Sequence, residues 1–118
     1  MHEMGLMDAV LRMVDRIRRE QQLGPVRKIT LEVGELSGVV PRFLEDCYEA
    51  VAAGTPFEGT ELALEIVPGL ARCEDCRNEF RPAGDVLRCP ACSGEKLTPI
   101  AGKDMTIKEI EVFDPEEQ

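Results

Sequence analysis

Two pairs of cysteines with the same internal spacing constrain this chain more than any other feature. The pairs are Cys73-x-x-Cys76 and Cys89-x-x-Cys92, and twelve residues separate them. Each pair can hold a metal ion with two thiolates, and the residues between them can form a hairpin that brings the pairs together. Few aliphatic side chains occur here, so a bound metal would supply much of the folding free energy. The spacing therefore predicts a tetrahedral tetrathiolate site.

The spacing leaves the identity of the metal open. A closed site with four thiolates has no open coordination position, which favours structural Zn(II) over a catalytic ion. Iron in a rubredoxin-like site uses the same ligands and would make the protein a small electron carrier. Unrelated thiols or a Cys-x-x-Cys redox pair are simpler interpretations, but two pairs at this spacing rarely arise by chance. We predict zinc, with iron as the alternative.

The rest of the chain has the periodicities of a small α+β fold. Helical spacing of apolar residues predicts a first helix over 4–22 and a second that begins at Pro41 and closes at Gly54. Alternation predicts strands over 28–33 and 62–66, and a third over 105–112 with a bulge at Lys108-Glu109. The predicted buried stripes are Leu6, Val10, Met13, Val14 and Ile17 in the first helix, and Phe43, Leu44, Cys47 and Val51, with Tyr48 as a further candidate, in the second.

A change of composition at Ala71 divides the chain. Residues 1–69 and 103–118 are predicted to form one α/β domain, in which two helices accompany a three-stranded sheet. Residues 70–102 are predicted to form an inserted zinc-knuckle, or zinc-ribbon-like, domain. The third strand then returns to the sheet of the first two. Residues 114–118 are an acidic tail, typical of a solvated chain end.

The charge balance argues against nucleic acid as a partner. There are 14 Lys and Arg against 23 Asp and Glu, a formal charge of −9, whereas nucleic-acid backbones are bound through clustered cations. The cysteine-rich stretch has no basic excess, and Zn(II) with four thiolates is itself anionic. No apolar run has the roughly 18 residues that a membrane span needs, and charges interrupt any signal peptide. We expect a cytoplasmic protein with reduced thiols and no membrane partner.

The only histidine, His2, stands beside the chain end. A lone histidine is usually without function, but here the amine of Met1, the backbone nitrogen of His2 and its imidazole can close two adjoining chelate rings. Three in-plane nitrogens favour square-planar Ni(II) or Cu(II), and Glu3 can offer a fourth donor. The first three residues are therefore candidate ligands for a second metal.

Several short motifs occur along the chain in a characteristic order. They are Met1-His2-Glu3-Met4, Gly34-Glu35-Leu36-Ser37, Gly54-Thr55, the two cysteine pairs and Ile110-Glu111-Val112. Together they resemble the hydrogenase nickel-incorporation protein family HypA, and the likeness covers nearly the whole chain. The resemblance implies a nickel metallochaperone that delivers Ni(II) during maturation of nickel–iron hydrogenase. The residues themselves predict a protein that is not an enzyme, because the sequence shows no nucleophile–base arrangement and no phosphate-binding glycine loop.

The resemblance also implies site residues and partners. His2 and Glu3 would belong to the nickel site, to which the chelate argument adds the amine of Met1. The zinc ligands would be Cys73, Cys76, Cys89 and Cys92. The implied partners are the GTPase HypB and the hydrogenase large-subunit precursor, with urease maturation proteins as a second destination. From the residues alone, two alternatives stay open: a zinc-ribbon adaptor that docks a protein while His2 is idle, and the iron electron carrier.

Overall fold

The computed structural model describes residues 2–82 and 88–113, which form an α+β fold with two small sheets. The elements in chain order are α1 (His2–Glu20), β1 (Val26–Gly34), α2 (Pro41–Ala52), β2 (Glu61–Val67), β3 (Leu70–Cys73), β4 (Glu79–Phe80), β5 (Leu97–Ala101) and β6 (Met105–Val112). One sheet has the order β2-β1-β6 and the other β4-β3-β5. The predicted α+β class is confirmed, including the return of the third predicted strand to the first sheet. The predicted acidic tail lies outside the described residues.

The chain divides into two compact units. Unit 1 comprises Met1–Glu32, Val40–Glu65 and Thr106–Gln118, and unit 2 comprises Val33–Val39 and Ile66–Met105. Unit 2 therefore takes in the loop after β1 as well as the cysteine-rich segment. The division at residues 70 and 102, which rests on composition, stays a prediction. No helix within residues 2–82 and 88–113 has the length and apolar character to cross a bilayer.

The core of unit 1 lies where α1 and α2 pack against each other. The buried side chains of the two helices are Met7, Val10, Leu11 and Val14 in α1, and Leu44, Cys47, Tyr48 and Ala52 in α2. Helix α2 begins at Pro41, as predicted, because proline fixes a helical φ and needs no amide partner in the first turn. It ends before Gly54, whose φ of 75° suits a residue without a side chain.

The predicted apolar stripes are wrong in part. Met13 and Phe43 are 46% and 47% exposed. The first helix carries two overlapping apolar rows one residue apart, and the row with Met7 is the one that is buried. Leu6, Ile17 and Val51 are only half-buried.

In α2, the side chain of Tyr48 is buried in the core, whereas that of Phe43 is exposed. The Tyr48 hydroxyl donates a hydrogen bond of 2.9 Å to the backbone oxygen of Thr60, so the ring can be buried without leaving a polar group unpaired. Burial raises the pKa of Tyr48 above its ordinary value.

Tyr48 is the only tyrosine in the chain, and tryptophan is absent, so its ionisation can be followed by ultraviolet absorbance alone. We expect tyrosinate to form at higher pH in the folded protein than in the same protein in denaturant. The sign follows from linkage: the unfolded phenol loses its proton first, near pH of about 10, so stability falls as pH rises from there towards the folded pKa. Coincident folded and denatured titrations would contradict this prediction.

Cys47 is a core residue. It is 4% exposed, and its thiol donates a hydrogen bond of 3.5 Å to the backbone oxygen of Leu44. Burial, together with nearby negative charge, raises the pKa of the Cys47 thiol, which is the opposite of what a reactive cysteine needs.

We therefore expect Cys47→Ala to lower the free energy of unfolding by on the order of 1 kcal/mol, because one buried sulfur loses its packing. Denaturant unfolding measures this change, and metal analysis of the same sample should show an unchanged content. Loss of metal from this variant would show that Cys47 is a ligand after all.

Three glycines of unit 2, Gly34, Gly69 and Gly102, allow three chain segments to meet at one place, which we call the glycine crossing. A Cβ on Gly34 would collide with the carbonyl group of Gly102, and a Cβ on Gly102 would lie 2.5 Å from the backbone oxygen of Pro68. The amide of Leu36 donates to the Gly102 oxygen at 2.7 Å. Side chains at these glycines would force the segments apart.

Glu35 holds the same region together through its carboxylate. Its Oε1 accepts hydrogen bonds from the Gly69 amide at 2.7 Å and from the Arg81 guanidinium at 3.1 Å. The Gly69 amide and the Arg81 guanidinium hold the pKa of Glu35 below its ordinary value.

Two further motif residues have structural roles, since Ser37 and Thr55 each donate a hydrogen bond to a backbone oxygen three residues earlier.

Candidate metal centre

The two cysteine pairs lie on turns with the same backbone hydrogen bonds. In the first turn the amide of Arg77 donates to the oxygen of Cys73 at 2.8 Å, and the amide of Cys73 donates to the oxygen of Asn78 at 2.9 Å. In the second turn the amide of Ser93 donates to the oxygen of Cys89 at 2.8 Å. Strand β3 ends at Cys73 and therefore leads directly into the first turn.

Each turn relies on one residue in the left-handed region directly after its second cysteine. These residues are Arg77, with φ of 66°, and Ser93, with φ of 64°. Glycine is the residue that takes this conformation at no steric cost, so arginine and serine gave no signal of it in the sequence. Gly94 does have a steric role, since a Cβ there would lie 3.2 Å from the Cys92 sulfur and 2.6 Å from an Asp75 carboxylate oxygen.

The turns bring four sulfurs into one cluster. The Sγ atoms of Cys73, Cys76, Cys89 and Cys92 all lie within 4.8 Å of one another. Two close sulfur contacts join the turns: Cys73 Sγ to Cys92 Sγ at 3.5 Å and Cys76 Sγ to Cys89 Sγ at 3.6 Å. A tetrahedral site with metal–sulfur bonds of about 2.3 Å places its sulfurs about 3.8 Å apart. The four sulfurs are thus clustered as predicted, at spacings that fit a tetrahedral metal ion such as zinc.

The ionisation of the four cysteine thiols favours a bound cation. Burial raises the pKa of Cys89, but the amides of Cys92 and Ala91, with the neighbouring thiols, lower it to about 6. The amide of Gly94 lowers the pKa of Cys92, but the Cys73 thiol and its neighbours raise it to about 12. One thiolate therefore forms readily, and its charge then opposes ionisation of the next. A divalent metal would ease this conflict, because it would bind each sulfur as a deprotonated ligand and offset part of the negative charge.

The predicted nickel ligands lie at the start of α1. The helix begins at His2, and Glu3 is a half-buried acidic residue in its first turn. After the burial of the thiol itself, the charge of Glu3 contributes to the raised pKa of Cys47. Met1 and the side chain of His2 lie outside what the structure describes, so this donor set stays a prediction.

The α+β fold and the cluster of four cysteines define a small metal-binding protein, and comparison with known proteins gives its family. A family described as "Hydrogenase/urease nickel incorporation, metallochaperone, hypA" matches residues 1–112. The hydrogenase maturation factor HypA of Geobacter metallireducens is 38% identical over 112 residues, which cover 95% of this chain and 99% of that protein. The HypA of Streptomyces avermitilis is also 38% identical, with 93% and 86% covered.

Two solved structures share the fold. The solution structure of the Ni metallochaperone HypA from Helicobacter pylori superposes with a TM-score of 0.67 at 16% identity, covering 93% of this chain and 96% of that one. A second solution structure of a HypA protein gives a TM-score of 0.68 at 18% identity, covering 96% and 97%. The chain belongs to the HypA family of hydrogenase maturation factors. It is a nickel-related metallochaperone and not an enzyme, as the motifs predicted.

Proposed function

We propose that this protein binds Ni(II) at its N-terminus and delivers it during maturation of nickel–iron hydrogenase. The observation that carries the proposal is the family match, which begins at residue 1 and runs to residue 112. It therefore includes His2 and Glu3 as well as the four cysteines.

The start of α1 suits the chelate that the sequence predicts. The first amides of a helix have no partner within the helix, so the backbone nitrogen of His2 can act as a donor without breaking a helical hydrogen bond. With the amine of Met1 and the imidazole of His2 it supplies three nitrogens, and Glu3 adds a carboxylate in the same turn. A site at a chain end has few protein donors and an open side, which favours release of the ion to an acceptor.

The four cysteines have a different task in this proposal. Zn(II) bound by Cys73, Cys76, Cys89 and Cys92 would be closed and structural, and would hold the turns of unit 2 together. The proposed partners are the GTPase HypB and the hydrogenase large-subunit precursor. The family description also names urease, which makes urease maturation proteins a second destination. Four reduced thiols suit the cytoplasm.

Nickel titration of the untagged protein beside His2→Ala tests the proposal. We expect the wild-type protein to bind one nickel ion with a square-planar spectrum, and His2→Ala to lose that site because the imidazole is gone. Glu3→Gln is the matched control for the carboxylate and should weaken binding less. Nickel binding that is unaffected by His2→Ala would contradict the proposed site.

Metal analysis of the same samples tests the cysteine site and separates the alternatives. Zinc with nickel uptake supports delivery, and zinc content should be equal in the wild-type protein and in His2→Ala. Zinc without any nickel uptake would favour a zinc-ribbon adaptor. Coloured, iron-containing protein would favour the rubredoxin-like electron carrier.

A further inference from the structure

We propose that the cluster of four cysteines is also a site of reversible oxidation by hydroperoxides, which would join the two turns through Cys73–Cys92 and Cys76–Cys89 disulfides. This inference rests on the proposed tetrathiolate metal site and gives that site a second role. Oxidation would remove the metal donors, so the stability of unit 2 would depend on the redox state of its surroundings.

The four thiols differ in their access to an oxidant. Cys76 and Cys92 are exposed, whereas Cys73 and Cys89 are buried, with exposed fractions of 0% and 2%. A small peroxide can therefore reach one sulfur of each turn directly. A bound metal would hold all four sulfurs deprotonated as ligands, so access to the oxidant decides the order of reaction, and Cys76 and Cys92 react first.

Each accessible sulfur has a buried sulfur of the other turn close by. Cys76 lies 3.6 Å from Cys89, and Cys92 lies 3.5 Å from Cys73. A disulfide needs its sulfurs about 2.05 Å apart, so each contact must shorten by roughly 1.5 Å. The buried partner is positioned to react before a second oxidant molecule arrives.

The sulfur contacts favour bonds between the turns over bonds within them, since the contacts of 3.5 Å and 3.6 Å both join one turn to the other. The hydrogen bonds from Arg77 to Cys73 and from Ser93 to Cys89 fix each turn, and both donors are held in the left-handed region. A bond between the pairs draws two intact turns together, which the flexible side chains of cysteine can follow.

The chemistry balances with the peroxide as the only oxidant. The Cys76 thiolate attacks the peroxide O–O bond and gives a sulfenic acid and hydroxide. The Cys89 thiolate then attacks the sulfenic sulfur, forms the S–S bond and releases a second hydroxide. Each disulfide takes two electrons from two thiolates and, once solvent supplies two protons, reduces one hydrogen peroxide to two waters, or one organic hydroperoxide to an alcohol and a water. The pair Cys92 and Cys73 follows the same course with a second peroxide.

The sequence provides a direct way to distinguish bonds between the turns from bonds within them. Trypsin cleaves after Arg72, Arg77, Arg88 and Lys96, so one peptide (73–77) contains both cysteines of the first turn and another (89–96) contains both cysteines of the second. Bonds between the turns join these peptides into one species. Bonds within the turns leave two separate peptides, each lighter by two hydrogens.

The experiment treats metal-loaded protein with hydrogen peroxide, alkylates the remaining thiols in denaturant and maps the peptides by mass spectrometry. We expect free thiols to fall from the five of the chain to one, Cys47, with release of the cluster metal and appearance of the linked peptide. A thiol reductant with added zinc should reverse all three changes. Cys47→Ala should behave identically, apart from the missing free thiol.

Other outcomes would overturn the inference. Two separate oxidised peptides would show bonds within the turns, and sulfinic or sulfonic acids without a linked peptide would show damage in place of a reversible switch. Thiols that stay reduced at a peroxide level that oxidises free cysteine would show a protected site. The metal content before peroxide separately tests the proposed metal site, so failure of that assignment is distinguishable from failure of the switch.

Discussion

Replacing Cys73 with alanine is expected to release the metal of the cysteine cluster and to unfold unit 2, while unit 1 stays folded. The buried apolar side chains described in unit 2 are only Val33, Ala71 and two of the cysteines, Cys73 and Cys89. Such a small core cannot replace a structural zinc site, whose apparent binding free energy is about 10–16 kcal/mol in zinc-finger peptides. Unit 1 has its own core between α1 and α2.

Zinc analysis and the dispersion of amide resonances measure the two parts of this prediction. In Cys73→Ala we expect loss of zinc, with collapsed resonances from residues of unit 2 and unchanged ones from α1 and α2. Cys47→Ala is the matched control, because it removes a buried thiol from unit 1 and leaves the cluster intact. Full zinc content in Cys73→Ala would refute the tetrathiolate assignment.

A single glycine added before Met1 is expected to change the nickel site and weaken nickel binding, although every side chain is retained. The proposed chelate uses the free amine of Met1 beside the imidazole of His2. The extension turns this amine into an amide, whose nitrogen is a far poorer donor at neutral pH, and moves the new amine one residue out of the chelate ring. Zinc content and fold should stay unchanged, because the cysteine cluster uses none of these groups.

Spectroscopy should accompany this titration, since an extended terminus can build a different chelate around His2. We expect the extended protein to show both a weaker affinity and an altered nickel spectrum. Native affinity with an unchanged spectrum would exclude the terminal amine as a donor, and the His2→Ala result would then decide whether the imidazole binds nickel at all.

The sequence predicts the features that depend on short-range spacing. The cysteine pairs predicted a cluster that the fold forms, and the periodicities predicted both helices and the strands of the first sheet. The second sheet was missed, because β3 and β4 have four and two residues and are too short to show a period.

The remaining differences arise from contacts between residues far apart in the chain. The burial of Tyr48 in place of Phe43 depends on the backbone oxygen of Thr60, which no pattern within α2 reveals. The role of Glu35 likewise depends on Gly69 and Arg81. Helix periodicity identifies the apolar rows of α1, but only packing selects which row is buried.

The glycine crossing has a consequence for how this chain could have acquired, and could lose, its cysteine-rich segment. The cysteine-rich segment begins after Gly69 and ends before Gly102, and backbone atoms of Pro68 and Gly102 are in close contact. Its two ends therefore meet, so contacts at the crossing offset part of the entropic cost of closing this loop, in addition to any metal that the four cysteines bind. We therefore expect that a turn of a few residues between Gly69 and Gly102 could replace the segment from Leu70 to Ala101 without stretching the chain on either side.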